Sequence, residues 1–173
     1  MRSLSLHPDC SPCPVTAVEV EIVATSHGCR ARFHLRGDIA AIKVPGKAIG
    51  VREDFLWKTT CCEIFWQPVG GRYYREFNLS PSGKWAAYDF GDFRELIGDS
   101  PVPAIAVACA HTDTELELVA DIASQLSVPA DIALNAIIED RHGTLYNWAL
   151  AFQPGAYEFH SEACRQVHIE ERP

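Results

Sequence analysis

Apolar and polar positions alternate through most of this chain. Val18, Val20 and Ile22 alternate with Glu19 and Glu21, and Ala31, Phe33 and Leu35 with Arg30, Arg32, His34 and Arg36. Leu116, Leu118, Ala120 and Ile122 are set among Glu115, Glu117 and Asp121 in the same way. A period of two marks a half-buried β-strand. Residues 104–110 are almost wholly apolar, which predicts a strand covered on both faces. Tyr146, Trp148, Leu150 and Phe152 share one face of a further strand. Turn formers separate these runs: Gly37-Asp38, Pro45-Gly46, Gly70-Gly71, Ser80-Pro81-Ser82-Gly83, Gly91-Asp92, Arg141-His142-Gly143 and Pro154-Gly155. Short strands between such turns predict an all-β sandwich or barrel. The pattern holds no heptad, long amphipathic helix or internal repeat. It leaves room for a short helix near 92–97 or 120–125.

The central hairpin carries the most chemistry. Residues 61–67 and 73–79 read as antiparallel strands joined through 68–72. Alternate residues of a strand share a face. Glu63, Phe65 and Gln67 then lie together, as do Tyr74, Glu76 and Asn78. The opposite faces carry Cys62, Ile64 and Trp66, and Tyr73, Phe77 and Leu79; being more apolar, they are assigned to the core. Two registers keep the apolar sets together, one with Glu63 opposite Glu76 and one with Glu63 opposite Asn78. Either gathers Glu63, Tyr74, Glu76, Asn78 and Gln67 into one polar and aromatic patch. Arg75 is the misfit, because the alternation points it at the core. It must reach an edge, pair with a carboxylate or mark a bulge. Such a patch suits a neutral polyol, since carboxylates and amides bond hydroxyls and aromatic faces cover C–H surfaces. The plain alternative is a solvated sheet face with ordinary cross-strand pairs.

The chain has 173 residues and no clear linker, so one domain over 1–173 is expected, with 1–14 as an irregular segment. Hydrophobic residues make up 47%, which argues against disorder. Fifteen basic residues stand against 23 acidic, a net charge of -8. That balance argues against a nucleic-acid surface and against docking on an anionic membrane. No stretch approaches the roughly 18 apolar residues of a membrane span. The start of the sequence has no signal-peptide pattern, so the expected location is the cytoplasm. Seven cysteines are then expected as thiols rather than as a disulfide framework.

Other motifs are weaker. Cys10-Ser11-Pro12-Cys13 has neither the context of a thioredoxin site nor a second C-x-x-C for zinc. The adjacent Cys61 and Cys62 point to opposite sheet faces, one toward the core and the other partly exposed. The histidines form no local H-x-H or H-x-x-x-H pair, so no metal is expected. Arg94 could clamp a carboxylate or phosphate, or pair with a nearby acid. Glu63 and Glu76 could form a glycosidase-like pair, but nothing assigns a general acid. No triad, phosphate loop or nucleotide fingerprint is visible, and the chain reads as non-catalytic.

The motifs Leu56-Trp57-Lys58-Thr59-Thr60-Cys61, Cys62-Glu63-Ile64-Phe65, Tyr74-Arg75-Glu76-Phe77-Asn78-Leu79, Ser80-Pro81-Ser82-Gly83-Lys84-Trp85-Ala86-Ala87-Tyr88 and Phe93-Arg94 form an ordered block. A second block follows at Tyr146-Asn147-Trp148-Ala149-Leu150 and Phe159-His160. Together they resemble the DOMON-like group of bacterial proteins, which are related to family 9 carbohydrate-binding modules. The resemblance runs from about Gly37 to His160. It implies a β-sandwich of two antiparallel sheets, jelly-roll or immunoglobulin-like. In the sugar-binding modules an exposed tryptophan precedes a strand carrying a glutamate, and a later strand adds an asparagine. Trp57, Glu63 and Asn78 match that arrangement. Those modules clamp sugar between two tryptophans, for which Trp148 is the second candidate. They also carry structural calcium, but no acidic cluster here has an EF-hand-like spacing. Other DOMON domains bind haem, in some cases through Met and His. Met1 is the sole methionine, which excludes an internal Met ligand and leaves one or two histidines, His160 or another, as candidate haem ligands.

The expectation is a non-catalytic module for a small polar ligand, foremost a carbohydrate. Its site would comprise Trp57, Glu63, Tyr74, Glu76, Asn78, Arg94 and Trp148. A haem or redox domain using His160, and a protein-interaction domain without a small ligand, are the alternatives. No cofactor is expected under the leading reading.

Overall fold

The computed structural model describes residues 1–48, 50–155 and 157–170. Its strands are β1 (Arg2–Leu6), β2 (Val15–Thr25), β3 (Gly28–Gly37), β4 (Cys61–Pro68), β5 (Tyr74–Leu79) and β6 (Trp85–Phe90). They continue as β7 (Leu96–Asp99), β8 (Ala104–His111), β9 (Glu115–Ala123), β10 (Ala130–Glu139), β11 (Leu145–Ala149) and β12 (Val167–Ile169). The described helical structure is three short 3-10 turns, Ile39–Ala41, Leu56–Lys58 and Glu162–Cys164. No helix forms at 92–97 or 120–125. The first stretch turns into β7, and the second begins inside β9.

The protein is all-β, as the alternation predicts. The strands make one strongly curled antiparallel sheet in the order β7-β6-β5-β4-β10-β11-β1-β2-β3-β9-β8, with β12 beside β10. Two separate sheets were the expectation, and β1 is the reason for the difference. Its Arg2, Ser3 and Leu4 pair with Val20, Glu19 and Val18 of β2, while Ser5 and Leu6 pair with Ala149 and Trp148 of β11. One short strand thus hands the sheet from one half to the other. The segment 1–14 is therefore not irregular throughout.

The two halves close on a single inner core. Val18, Val20, Phe33, Leu35, Leu116 and Leu118 from one half share it with Ile64, Trp66, Phe77, Leu79, Ile132 and Leu134 from the other. These are the residues whose period of two marks them in the sequence. The apolar run 104–110 has another origin. β8 is an edge strand, and its outward residues Ala104, Ala106, Ala108 and Ala110 are exposed. The run is apolar because that face carries alanine, not because both faces are covered. Cys61 and Cys62 do face opposite sides, yet both are buried. None of the seven cysteines is joined in a disulfide.

Arg75 keeps its place in the alternation and points inward. Its Nε and one terminal nitrogen donate to the two Asp89 oxygens at 2.7 and 3.0 Å, directly across β5 and β6. The other terminal nitrogen donates to Ser124 Oγ at 2.7 Å, just beyond β9. The guanidinium thus ties the two halves of the sheet together across the core edge. Burial raises the pKa of Asp89, but hydrogen bonds from Arg75, Tyr73 and Ser100 outweigh it and hold the carboxyl below its ordinary value. Removing one member of a buried pair strands the other without a partner. Arg75→Met is expected to lower stability in urea unfolding by about 3–5 kcal/mol. The double variant Arg75→Met/Asp89→Leu should recover part of that loss.

Candidate functional site

The outer face of β4, β5, β6, β10 and β11 is where the hairpin's chemistry collects. Glu63 lies opposite Asn78 on one side and Asn135 on the other, and that row ends on Ala86 and Ala149. This is the second of the two registers open from the sequence. The next row along runs Tyr88, Glu76, Phe65, Ala133, and the row on the other side runs Cys61, Ile137, Asn147. The Ser80–Gly83 turn sets the β5–β6 part of this lattice. Gly83 N donates to Ser80 O at 3.0 Å, and Ser80 and Ser82 share a hydroxyl hydrogen bond at 2.8 Å. Gly83 sits at φ 94, a conformation that side chains other than glycine disfavour.

This is not a solvated sheet face. Glu63, Glu76, Asn78 and Asn135 are all buried. Three segments rise around them: the loop before β4, the turn between β6 and β7, and residues 157–165. The first runs beside β6, with Glu53 N donating to Trp85 O at 2.9 Å. Its 3-10 turn leaves Trp57 43% exposed, edge-on to Phe55 at 6.3 Å. Together the segments enclose a cleft of about 620 Å³. Phe55, Trp57, Tyr88 and Tyr157 stand at its walls, with Phe65, Phe90 and Phe159 deeper. Glu63, Glu76, Asn147, His160 and Arg94 supply its polar groups, and Asp54 and Asp99 lie along its lining.

Five of the residues singled out in the sequence therefore meet at the cleft: Trp57, Glu63, Glu76, Arg94 and His160. Two others support it from beneath. Tyr74 is buried, stacks on Phe90 at 4.9 Å, and shares a hydrogen bond with His160 Nδ1 at 2.7 Å through its hydroxyl. That hydroxyl also accepts from the Arg94 backbone N–H at 3.1 Å, which anchors the β6–β7 turn. Asn78 donates to Glu76 Oε1 at 2.7 Å and so orients that carboxyl. Gln67 serves the hairpin turn, donating to Gly71 O at 2.8 Å.

Trp148 is placed elsewhere. It points into the inner core with Tyr146, because the β11 residues facing the cleft side are Leu145, Asn147 and Ala149. It does not line the cleft, where Phe55, Tyr88 and Tyr157 stand instead. The sequence reading also misses Asn135 and Asn147. Asn135 carries a signal, as the lone amide inside the apolar run Ala133-Leu134-Asn135-Ala136-Ile137-Ile138. Asn147 hides because its neighbours Tyr146 and Trp148 dominate the pattern.

The electrostatics of the floor follow from burial. Burial pushes Glu63 well above the ordinary carboxyl range, and the neighbouring Glu76 adds to the effect. Burial also raises Glu76, to about 7, against the opposing influence of the Asn78 hydrogen bond and the Arg94 charge. His160 is pushed down to about 4, by burial first and then by Arg94. Its Nε2 faces Glu76 Oε2 at 3.7 Å. Near neutral pH the floor therefore offers one carboxyl whose proton is held by burial, a second that is half protonated, and a neutral imidazole. Glu63 Oε2 and both amide atoms of Asn135 are buried without a well-formed hydrogen bond, the amide lying near enough to Glu63 to oppose the rise of its pKa. Orphaned polar atoms in a protein interior are costly, and these adjoin one another at the base of a cleft.

No family model matches the chain, and no curated protein does. Its fold has a counterpart among solved structures. A protein from Bacteroides uniformis ATCC 8492, described as a "putative carbohydrate-binding protein", matches 86% of this chain and 77% of its own, with a TM-score of 0.58 and 18% identity. At that identity the likeness concerns the fold alone. Among the described residues, no helix is long and apolar enough to cross a membrane. Nor do three or more His, Cys, Asp or Glu side chains among them come together as a metal site.

The shifted carboxyl has a consequence for stability. Glu76 holds its proton more tightly in the folded state, so its contribution is full below about pH 4.5 and is lost as pH rises through about 7. His160 works the other way, its contribution growing as pH rises from about 4 to 6.5. Above pH 6.5 the carboxyls dominate this cluster. Between pH 6.5 and 8 the unfolding free energy in urea is expected to fall, by at most about 1.4 kcal/mol per pH unit for each titrating proton. Glu76→Gln should flatten that slope by about 0.5 kcal/mol per pH unit. An unchanged slope would show that Glu76 titrates normally.

Proposed function

We propose that this chain is a non-catalytic module that binds a carbohydrate in the cleft above Glu63 and Glu76. One observation carries the reading: orphaned polar atoms of Glu63 and Asn135 lie at the base of a cleft whose mouth is formed by an exposed tryptophan. A ligand site combines apolar walls with a few placed polar groups. A protonated carboxyl and a primary amide can each donate and accept, which is what a ring hydroxyl requires. Trp57, with Phe55 beside it, offers an aromatic face to the C–H side of a sugar ring. The fold-level likeness to the Bacteroides uniformis protein is consistent with this reading.

Binding fits the carboxyl pair better than hydrolysis does. Glycosidase carboxyls flank the scissile bond from two sides. Glu63 and Glu76 are diagonal neighbours on one sheet face, with Asn78 beside both. The haem alternative draws on His160, whose Nδ1 is already engaged by Tyr74 and whose Nε2 faces Glu76. A Soret band on haem addition would favour it over the sugar reading.

A glycan array probed with the purified protein under reducing conditions tests the proposal, and absence of binding to every sugar would overturn it. Trp57→Ala is expected to weaken binding of the ligand found there by tenfold or more, about 1.4 kcal/mol. Its melting temperature should stay within a degree or two of the parent, because the side chain packs little. Undiminished affinity in that variant would remove Trp57 from the site.

A further inference from the structure

Neither floor carboxyl is ion-paired to a Lys or Arg among the described residues, although the Arg94 charge acts on Glu76 at longer range. Glu63 forms no ion pair with a Lys, Arg or His among the described residues, and its Oε2 is buried without a well-formed hydrogen bond, beside the Asn135 amide. Glu76 meets Asn78 and, at 3.7 Å, the His160 imidazole. That ring is uncharged at neutral pH. The cations around the pair make their contacts with other groups. Arg94 reaches the cleft from the β6–β7 turn, but its Nε donates to Glu158 at 2.8 Å. Arg165, on the C-terminal segment, lies over the Tyr74 ring at 4.7 Å from its centroid. Arg52 is taken by Asp54 and Asp99. Tyr74 and Tyr88 have their pKa values raised, chiefly by burial, and so stay neutral.

The walls match this floor. Phe65 and Tyr88 share the Glu76 row, and Phe90, Phe159 and Trp57 stand around it. Aromatic faces attract an organic cation, and a carboxylate receives an ammonium through a charge-assisted hydrogen bond. Neutral sugars use neither property fully.

We propose that the ligand of this cleft is an amino sugar, whose protonated amino group is received by Glu63 and Glu76 within the aromatic walls. This rests on the carbohydrate reading above and narrows its ligand class. No covalent bond forms or breaks. When the ammonium enters, a carboxyl gives up its proton to solvent and becomes its counter-ion. Affinity should therefore rise with pH across the range in which the carboxyls ionise, and fall once the amine itself loses its proton. A neutral sugar needs no such release.

Isothermal titration calorimetry tests this with three disaccharides: β-1,4-linked glucosamine, its N-acetylated form and cellobiose. Each is titrated at pH 6.0 and 7.0, in buffers of different ionisation enthalpy. The expected result is at least about tenfold tighter binding of the free amine at pH 7.0. A net release of protons should accompany it, seen for that ligand alone. Glu63→Gln is expected to abolish the preference. The wild-type proton count serves as an independent readout should that variant fold poorly. Equal or tighter binding of cellobiose or the N-acetylated sugar, or binding of the amine without proton release, would overturn the proposal and leave the carbohydrate reading standing. Failure of all three, together with an empty glycan array, would overturn both.

Discussion

β4 is covered on both faces, and the rest of the structure depends on that constraint. Its inner residues Cys62, Ile64 and Trp66 belong to the core that joins the two halves of the sheet. Its outer residues Cys61, Glu63 and Phe65 lie beneath the three segments that form the cleft, and all are buried. A strand in this position cannot slip by one residue without carrying a carboxylate into the core and an isoleucine out of it. The hydrophobic side therefore holds the register of the polar side. The row Asn78, Glu63, Asn135 is as well defined as the packing of Phe77, Ile64 and Leu134 behind it.

Much of this was legible from a period of two. The strands, the inner face of the hairpin and the gathering of Glu63, Glu76 and Asn78 all follow from which residues alternate. What alternation does not reveal is coverage. The outer face of the hairpin reads as half exposed, because polar residues occupy it. It is buried instead, because loops distant in sequence close over it. Trp148 fails for a related reason. A tryptophan reads equally as a wall or as core, and only the pairing of β11 with both β10 and β1 turns it inward. β8 shows the converse. Alanine counts as apolar in a pattern but costs little when exposed, so an all-apolar run became an edge.

Burying a carboxyl without a partner opposes folding, and the cost has to be offset by the core. The inner cluster is large enough for that, with Trp66, Phe33, Phe77 and a series of leucines almost wholly removed from water. The arrangement also separates two jobs by face. Stability resides on the inner side of β4 and β5, where every alternate residue is apolar or ion-paired. Chemistry resides on the outer side, where the groups are under-satisfied and held in place by neighbours such as Tyr74 and Asn78. A site built this way is pre-organised, since its polar groups are already desolvated and oriented before a ligand arrives.

The same two strands also bury charge on the opposite side, and the contrast is informative. Arg75, between Tyr74 and Glu76 in sequence, is supplied with a two-point carboxylate partner, a serine hydroxyl and a tyrosine hydroxyl. The fold thus provides a full set of partners for an ionised group when that group is structural. One residue further along, Glu76 receives an amide and a neutral imidazole, and Glu63 across the hairpin keeps an oxygen without a well-formed hydrogen bond, with only the Asn135 amide nearby. Both environments have similar depth and the same sheet geometry. The difference lies in what faces each group: for Arg75 the core edge, where no ligand enters, and for the glutamates an open cleft walled by aromatic rings. The unmet hydrogen-bonding capacity of Glu63 and Asn135 thus lies where a ligand entering the cleft can meet it.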